Sequence, residues 1–283
     1  MIKKLFFAAA FILAVAAQSN AQYQADALIF SQQIYGSTSK SLAMGGALSP
    51  VGADLSVMAS NPAGLALFKS NHFTFSSNFM LNSAETDYLG NTRNEERFNY
   101  SVDNLGFSIT KRNESSAWKA FSFGLAYNRM NEYSSDITAS GINTESSIHD
   151  YYVYRANRAI NLSKFREELA FDAYLINDDG NEYYSHITDA GLYGERQRRE
   201  EIVGGGKGEL DFSLAGNYND ALSLGIGVGT QFISYNRRIF YTESDYDDVF
   251  RLDTVTNTEV QVDPEFMEYN ETLHTNGTGI NVK

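Results

Sequence analysis

The sequence contains no cysteine, only 3 prolines and only 4 histidines. Without thiols, neither a disulfide framework nor a thiolate metal site can form. The histidines (His72, His149, His186, His274) are scattered and lack metal-ligand spacing. Basic residues are also short: 22 Lys and Arg stand against 35 Asp and Glu, a net charge of −13. Such a field argues against nucleic acid, and against anionic lipid, as a partner surface. After the N-terminus no stretch approaches the roughly 20 apolar residues of a membrane-spanning helix. An exported soluble protein and a membrane barrel both remain open, because barrel strands alternate and keep the average hydropathy low.

Motifs for catalysis are absent too. Gly204-Gly205-Gly206-Lys207-Gly208 lacks the Ser or Thr of a P-loop and leads into a strand, so it reads as a flexible loop end. No Gly-x-Ser-x-Gly elbow occurs. The run Asn177 to Glu182 offers carboxylates for calcium in a loop, but its spacing does not match an EF-hand; a solvated acidic turn is the plainer reading. Glu195-Arg196-Gln197-Arg198-Arg199-Glu200-Glu201 reads as a salt-bridged helix face. An enzyme is not expected, and no cofactor or metal is implied.

What the sequence has in quantity is aromatic residues and glycine: 19 Phe, 18 Tyr and 22 Gly. That composition suits a β-rich protein with aromatic belts. Lys3 and Lys4, the apolar run Leu5–Ala17 and the small residues Ser19 and Ala21 form the layout of a secretory signal peptide over residues 1–21. Downstream, period-two alternation is the main signal, because successive side chains of a strand point to opposite faces. Leu210, Phe212, Leu214 and Tyr218 share one face, Glu209, Asp211, Ser213 and Asn217 the other. Leu222, Leu224, Ile226, Val228 and Phe232 alternate with Ser223, Gly225, Gly227, Gly229 and Gln231, glycines that a narrow interior or close neighbour would favour. Asn219-Asp220 makes a tight hairpin between these two strands. The segments Phe73–Leu81, Leu105–Ile109 and Phe121–Tyr127 repeat the pattern, with a shift around Ser77.

Strands are thus expected at about 72–81, 102–111, 119–130, 208–218, 221–243 and 277–283. The connections between them alternate short and long: 82–101, 131–207 and 244–276 are the long ones. Tight turns at one end and large loops at the other are the asymmetry of a transmembrane barrel; a soluble sandwich explains the faces but not the loops. Within the longest loop, Leu162, Phe165, Leu169, Ala173 and Ile176 fall on one helical face with Asn161 as N-cap, the pattern of a folded lid or of an insertion without a role.

Residues 22–69 have neither period. They contain Met44-Gly45-Gly46-Ala47 and, just before the first strand, Asn61-Pro62-Ala63-Gly64-Leu65. The run from Gly36 through Gly64 resembles the FadL/TodX family of outer-membrane transporters for long-chain fatty acids and aromatic hydrocarbons. The resemblance implies a fourteen-stranded all-β barrel, plugged by an N-terminal hatch, with ligand caught at outer loops and released sideways at a kinked third strand. Gly45 and Gly46 would then lie in the hatch, and Asn61, Pro62 and Ala63 at the hatch–barrel junction. Gly124 is the candidate kink, although a glycine facing a crowded lumen is the more ordinary reading. Phe165, Tyr174 and Tyr184 are candidates for a ligand groove in the loops. Bacterial barrels have at least eight strands, so residues 70–283 are expected to be a partial barrel at the bacterial outer membrane, in contact with membrane lipid and taking up a small hydrophobic molecule. The alternative is a barrel adaptor for a secretion system or a surface receptor.

Overall fold

A long alternating segment becomes a strand only where neighbouring backbone satisfies its amide groups, and here six such strands do so for one another. The computed structural model describes residues 24–33, 37–159, 161–185, 193–244, 250–253, 258–261 and 266–283. The expected signal peptide, Gly36 and His186 lie outside them. The elements are α1 (Gln24–Ser31), α2 (Ser39–Ala43), two 3-10 turns (Leu55–Ala59 and Pro62–Leu67), then β1 (His72–Tyr88), β2 (Asn91–Arg112), β3 (Trp118–Glu132) and β4 (Ser135–Asn143). An insertion with α3 (Ile148–Ala156), α4 (Glu167–Asp172), β5 (Asn177–Asp178) and β6 (Tyr183–Tyr184) follows. The chain continues through β7 (Glu195–Tyr218), β8 (Leu222–Ser244), β9 (Phe250–Asp253), β10 (Thr258–Gln261) and β11 (Phe266–Val282). One seven-stranded sheet has the order β1-β2-β3-β7-β8-β11, with β4 continuing along β7 beyond the end of β3. Every pairing is antiparallel.

The register aligns the apolar side chains into rows. Phe73, Phe107, Leu125, Phe212, Val228 and Val282 form one row across six strands. Phe75, Leu105, Tyr127, Leu210, Thr230 and Ile280 form the next. These residues face outward: Phe73 is 68% exposed and Ile226, on the same face, 60%. Aromatic rings edge the belt. Trp118 contacts Phe121 and Tyr218 at one margin. At the other, Phe79 stacks on Phe98 and Tyr127 lies parallel to Phe232, ring centroids 5.8 Å apart. The opposite face is polar and buried. Asn104 and Glu209 are both 0% exposed, and Ser108, Ser122, Asn128, Asp211, Ser213 and Asn217 are buried beside them.

Several expectations are corrected. The segment 82–101 is not a loop: β1 and β2 run on to a two-residue turn at Leu89-Gly90, both with positive φ (52° and 75°). Connections therefore do not alternate strictly between short and long. The segment Glu195–Glu201 is strand, not helix, and its ion pairs join neighbours on one strand face, Arg198 to Glu200 and Arg199 to Glu201. The stretch Gly204–Gly208 lies inside β7, where Gly205 (φ +121°) makes an irregular step opposite Tyr133. In Asn82–Tyr88, Asn91–Arg97 and Glu195–Glu201 the strands carry polar side chains on both faces, so hydropathy loses its period while the backbone ladder continues. The same reason moves the start of the last strand from 277 to Phe266. The register shift near Ser77 is present, but the extra residue is Asp103 of β2. Asn219-Asp220 does form the tight turn, with φ of 51° and 53°.

Candidate functional site

The polar face of the sheet is covered by residues 37–71. Helix α2 starts on Thr38, whose side chain accepts from the Ser41 N–H, and ends in a Schellman closure. There the Gly46 N–H donates to Ser41 O and the Gly45 N–H to Leu42 O, with Gly45 at φ +63°. Asp54 caps the first 3-10 turn and also accepts from the Thr38 and Ser56 hydroxyls at 2.9 and 2.7 Å. Pro62 opens the second turn at its first position, where its missing N–H costs nothing. Leu55, Met58, Leu65, Ala66 and Phe68 then pack on Ala126 and Ala215 of the wall as a small apolar cluster.

Glycines on the inner face let this segment approach. A Cβ at Gly225 would collide with the backbone of Pro62 and Ala63, and one at Gly227 would lie 3.0 Å from Pro62 Cγ. The expectation that close neighbours explain these glycines thus has a named neighbour. Gly124 has the same cause: a Cβ there would meet Leu65 Cδ1 and Met58 Sδ, each at 2.9 Å. It pairs in unbroken register on both sides, so no bulge lies at Gly124 itself. The irregular steps of the third strand lie instead at Trp118/Ala120 and Arg129/Asn131, and at the Tyr133-Ser134 break before β4.

Beneath the segment runs a hydrogen-bonded track that crosses the wall. Thr74 donates to Asn104 Oδ1, and Asn104 Nδ2 donates to Asn128 Oδ1 at 2.8 Å. Asn128 Nδ2 donates to Asp211 Oδ2 at 3.0 Å. Lys283 donates to both Asp211 and Glu209, and Gln231 donates to Glu209 at 2.9 Å. Ser37 joins the track by donating to Asn128 Oδ1. Such buried polar groups are tolerated only because each finds partners. Further along, the Phe30 ring meets Tyr133 and Tyr235 edge-on, with centroids 6.2 and 5.3 Å away, and the buried Lys207 ammonium donates to Phe30 O at 3.3 Å. That carbonyl lies in the last turn of α1, where a cation is favourable.

Beyond Asn104 and Asn128, β2 no longer pairs with β3, although both strands continue. The freed β1–β2 hairpin leans on β4 and β7. Asn82 Nδ2 donates to Ser134 O at 2.6 Å, Arg97 pairs with Asp136, and Tyr88 donates to Gln197. A cavity of about 380 Å³ lies between Met80, Asn82 and Ala84 on β1 and Glu132, Ser135 and Asp136 on β3 and β4.

The insertion is anchored to the wall by Glu243. Its carboxylate accepts from the Ser147 hydroxyl (2.6 Å), the Ile148 N–H (3.0 Å), Gln197 Nε2 (2.6 Å) and Tyr241. A buried carboxylate at the start of α3 is favoured by the helix dipole, and Ser147 with Asp150 completes a capping box there. His149 is buried, with Nδ1 at 3.0 Å from Leu175 O and 2.8 Å from Ser185 Oγ. Burial holds its pKa below the usual histidine value, outweighing the opposing effects of Glu243, the Leu175 carbonyl and Asp150. Tyr152, Ala156, Ala170 and Ile176 form the insertion's own core.

The expected helix over 162–176 is reduced to Glu167–Asp172, and its N-cap position is Arg166, not Asn161. Phe165 and Tyr174 are 82% and 83% exposed, and Tyr184 is half-buried in the β5–β6 hairpin. None of the three lines the cavity of about 230 Å³ beneath α3, which is walled by Tyr151, Tyr152, Arg199, Ile239, Tyr241 and Tyr269. Sequence reasoning missed Asn104, Asn128 and Gln231 as members of one track. Their signal was a polar residue on the face opposite the apolar alternation, at matching heights in neighbouring strands. No family model, no curated protein and no solved structure is matched by this chain.

Proposed function

We propose that the sheet is the wall of a bacterial outer-membrane β-barrel, with residues 37–71 as a hatch inside it, and that the protein takes up small hydrophobic molecules such as long-chain fatty acids. One observation carries this reading: the sheet is inside out for a soluble protein, with an exposed apolar belt and a buried polar face closed by hydrogen bonds. Water would penalise that belt, whereas a bilayer rewards it at roughly 25 cal/mol per Å² of apolar surface withdrawn from water. On β8 the belt runs from Leu222 to Phe232. Ten residues at about 3.3 Å each, tilted about 40°, make a height of about 25 Å, the apolar band of an outer-membrane barrel. The aromatic residues at both margins support the same placement.

The resemblance of residues 36–64 to the FadL/TodX family supports the transport reading. So does the parting of β2 from β3, which offers a sideways path between lumen and membrane. Chemistry on the substrate is no part of the proposal. An adaptor or receptor role is the second reading, favoured by the exposed Phe165, Leu169 and Tyr174 of the insertion. Uptake of a labelled long-chain fatty acid by cells with and without the gene separates the two. Slower uptake in the deletion supports transport. Unchanged uptake, with a stoichiometric protein partner on the purified barrel, supports the adaptor.

A further inference from the structure

The outward face carries a depression at the end of the sheet with the 113–117 and 219–221 turns. In register, Phe121, Gly216 and Leu224 form a row, so the middle position of that row has no side chain. Trp118 leans over the gap: a Cβ at Gly216 would be 2.9 Å from its Cζ3. The result is a trough of about 540 Å³ walled by Trp118, Phe121, Phe123, Leu214, Leu224 and Ile226. That volume is within the 300–1,000 Å³ typical of small-molecule sites. Its rim carries a cation, Lys111, which follows Phe107 and Ile109 on the same face of β2 and pairs in register with Phe121.

Charge at this end differs from the net charge of the chain. Lys111 enters no ion pair among the described residues. Arg112 is already engaged by Glu114 (3.1 Å) and Asp220 (3.7 Å), the carboxylates of the two short turns, and both of those remain largely exposed. An apolar trough with an ammonium at its rim, at the strand ends whose turns carry Glu114 and Asp220, matches the sequence acyl chain, phosphate, ammonium.

We propose that this trough is a binding site for one zwitterionic glycerophospholipid of the ethanolamine type. An acyl chain lies over Gly216, the phosphate meets Lys111, and the headgroup ammonium faces Glu114 and Asp220. The inference rests on the barrel reading, with this end of the sheet set in the phospholipid leaflet, opposite the 144–194 insertion. The side-chain stem of Lys111 follows the apolar surface while its ammonium reaches the phosphate level. The exposed carboxylates Glu114 and Asp220 favour a headgroup that carries an ammonium over an anionic one. A second copy of the chain is a poorer occupant, since a two-fold contact sets the same patch against itself and brings Lys111 of each copy to the other's apolar trough or ammonium.

The test uses the full-length protein in nanodiscs of equal phosphatidylethanolamine and phosphatidylglycerol, with native mass spectrometry of the released protein. Expected is one retained lipid, enriched in phosphatidylethanolamine. Lys111→Gln should lower retention by up to about fivefold, the upper worth of one exposed ion pair, with Lys111→Arg restoring it. Leu224→Trp should fill the trough and abolish retention of both lipids. Equal retention in all three variants, enrichment of phosphatidylglycerol, or release of protein dimers in place of lipid would overturn the site. Heat-modifiable migration on gels is read first. Protein that never enters the discs sinks the barrel reading and this site together. Protein that inserts normally but ignores the variants sinks the site alone.

Discussion

The inverted sheet makes an energetic prediction that depends on height along the strand. Arginine placed on the outward face of β8 should be costly at the centre of the belt and cheap at its margins. Val228 sits six residues above Leu222 and four below Phe232, about 15 and 10 Å from the two edges after tilting. Its row neighbours are Phe212 and Val282, both apolar. On the proposed bilayer placement, an arginine there, or at Ile226, should lose about 2–4 kcal/mol, falling to about 0–1 kcal/mol at Leu222 or Phe232. At about 1.4 kcal/mol per decade this is roughly a 30- to 1,000-fold change in the folding equilibrium for Val228→Arg. Reversible denaturant unfolding in lipid vesicles, followed by tryptophan fluorescence (Trp118 is the sole tryptophan) and gel mobility, reads it directly. A flat profile across the four positions refutes the reasoning. So does a gain in stability or solubility at Val228, since a water-exposed face would welcome the charge.

Other expectations concern the inner face and the insertion. Gly225→Val should push the Pro62-Ala63 segment off the wall, costing roughly 1–3 kcal/mol as overpacking. Its signature is faster proteolysis within 37–71, whereas Gly279→Ala, with nothing within 4 Å of the new Cβ, should leave cleavage unchanged. Asn128→Ala strips partners from Asn104, Asp211 and Ser37 and should lower stability by about 1–3 kcal/mol, measured as the denaturation midpoint. His149, whose pKa is lowered by burial, binds its proton more readily unfolded than folded. Its contribution to stability is therefore complete above the unfolded value near 6.5 and declines as pH falls from there toward the folded value. Proteolysis of the 144–194 insertion should accelerate from pH 7.5 to 5.5 and lose most of that dependence in His149→Gln; equal rates at both pH values would disprove the linkage.

What could be read from the sequence follows from where side chains discriminate between two faces. Between Leu222 and Phe232, or Phe121 and Tyr127, one face is apolar and the other small or polar, so a period of two is visible and the strands are legible. In Asn82–Tyr88, Asn91–Glu96 and Glu195–Glu201 both faces are polar, and the ladder is held by backbone pairing that hydropathy does not record. The charges of Glu195–Glu201 were compatible with helix because opposite signs recur at several spacings; in the strand the i and i+2 partners share a face and pair. Gly124 illustrates the same limit. A glycine in a strand signals a bend or a close approach, and only the position of Met58 and Leu65 decides between them. The Asn61-Pro62 pair was legible as the start of a turn, and Pro62 does open one. That it crosses β8, some 160 residues further along the sequence, was not.

The two faces together narrow the possible settings of this sheet. A soluble sandwich covers its apolar face with a second sheet or a helix layer, yet here the covering segment lies on the polar face. The 37–71 segment meets the sheet at Ala126, Ala215 and the glycines 124, 225 and 227, with Ser37 bonded to Asn128. The apolar belt, spanning six strands, has no protein layer over it among the described residues. The belt's height and aromatic margins are the observations that support the proposal of bilayer hydrocarbon as its covering.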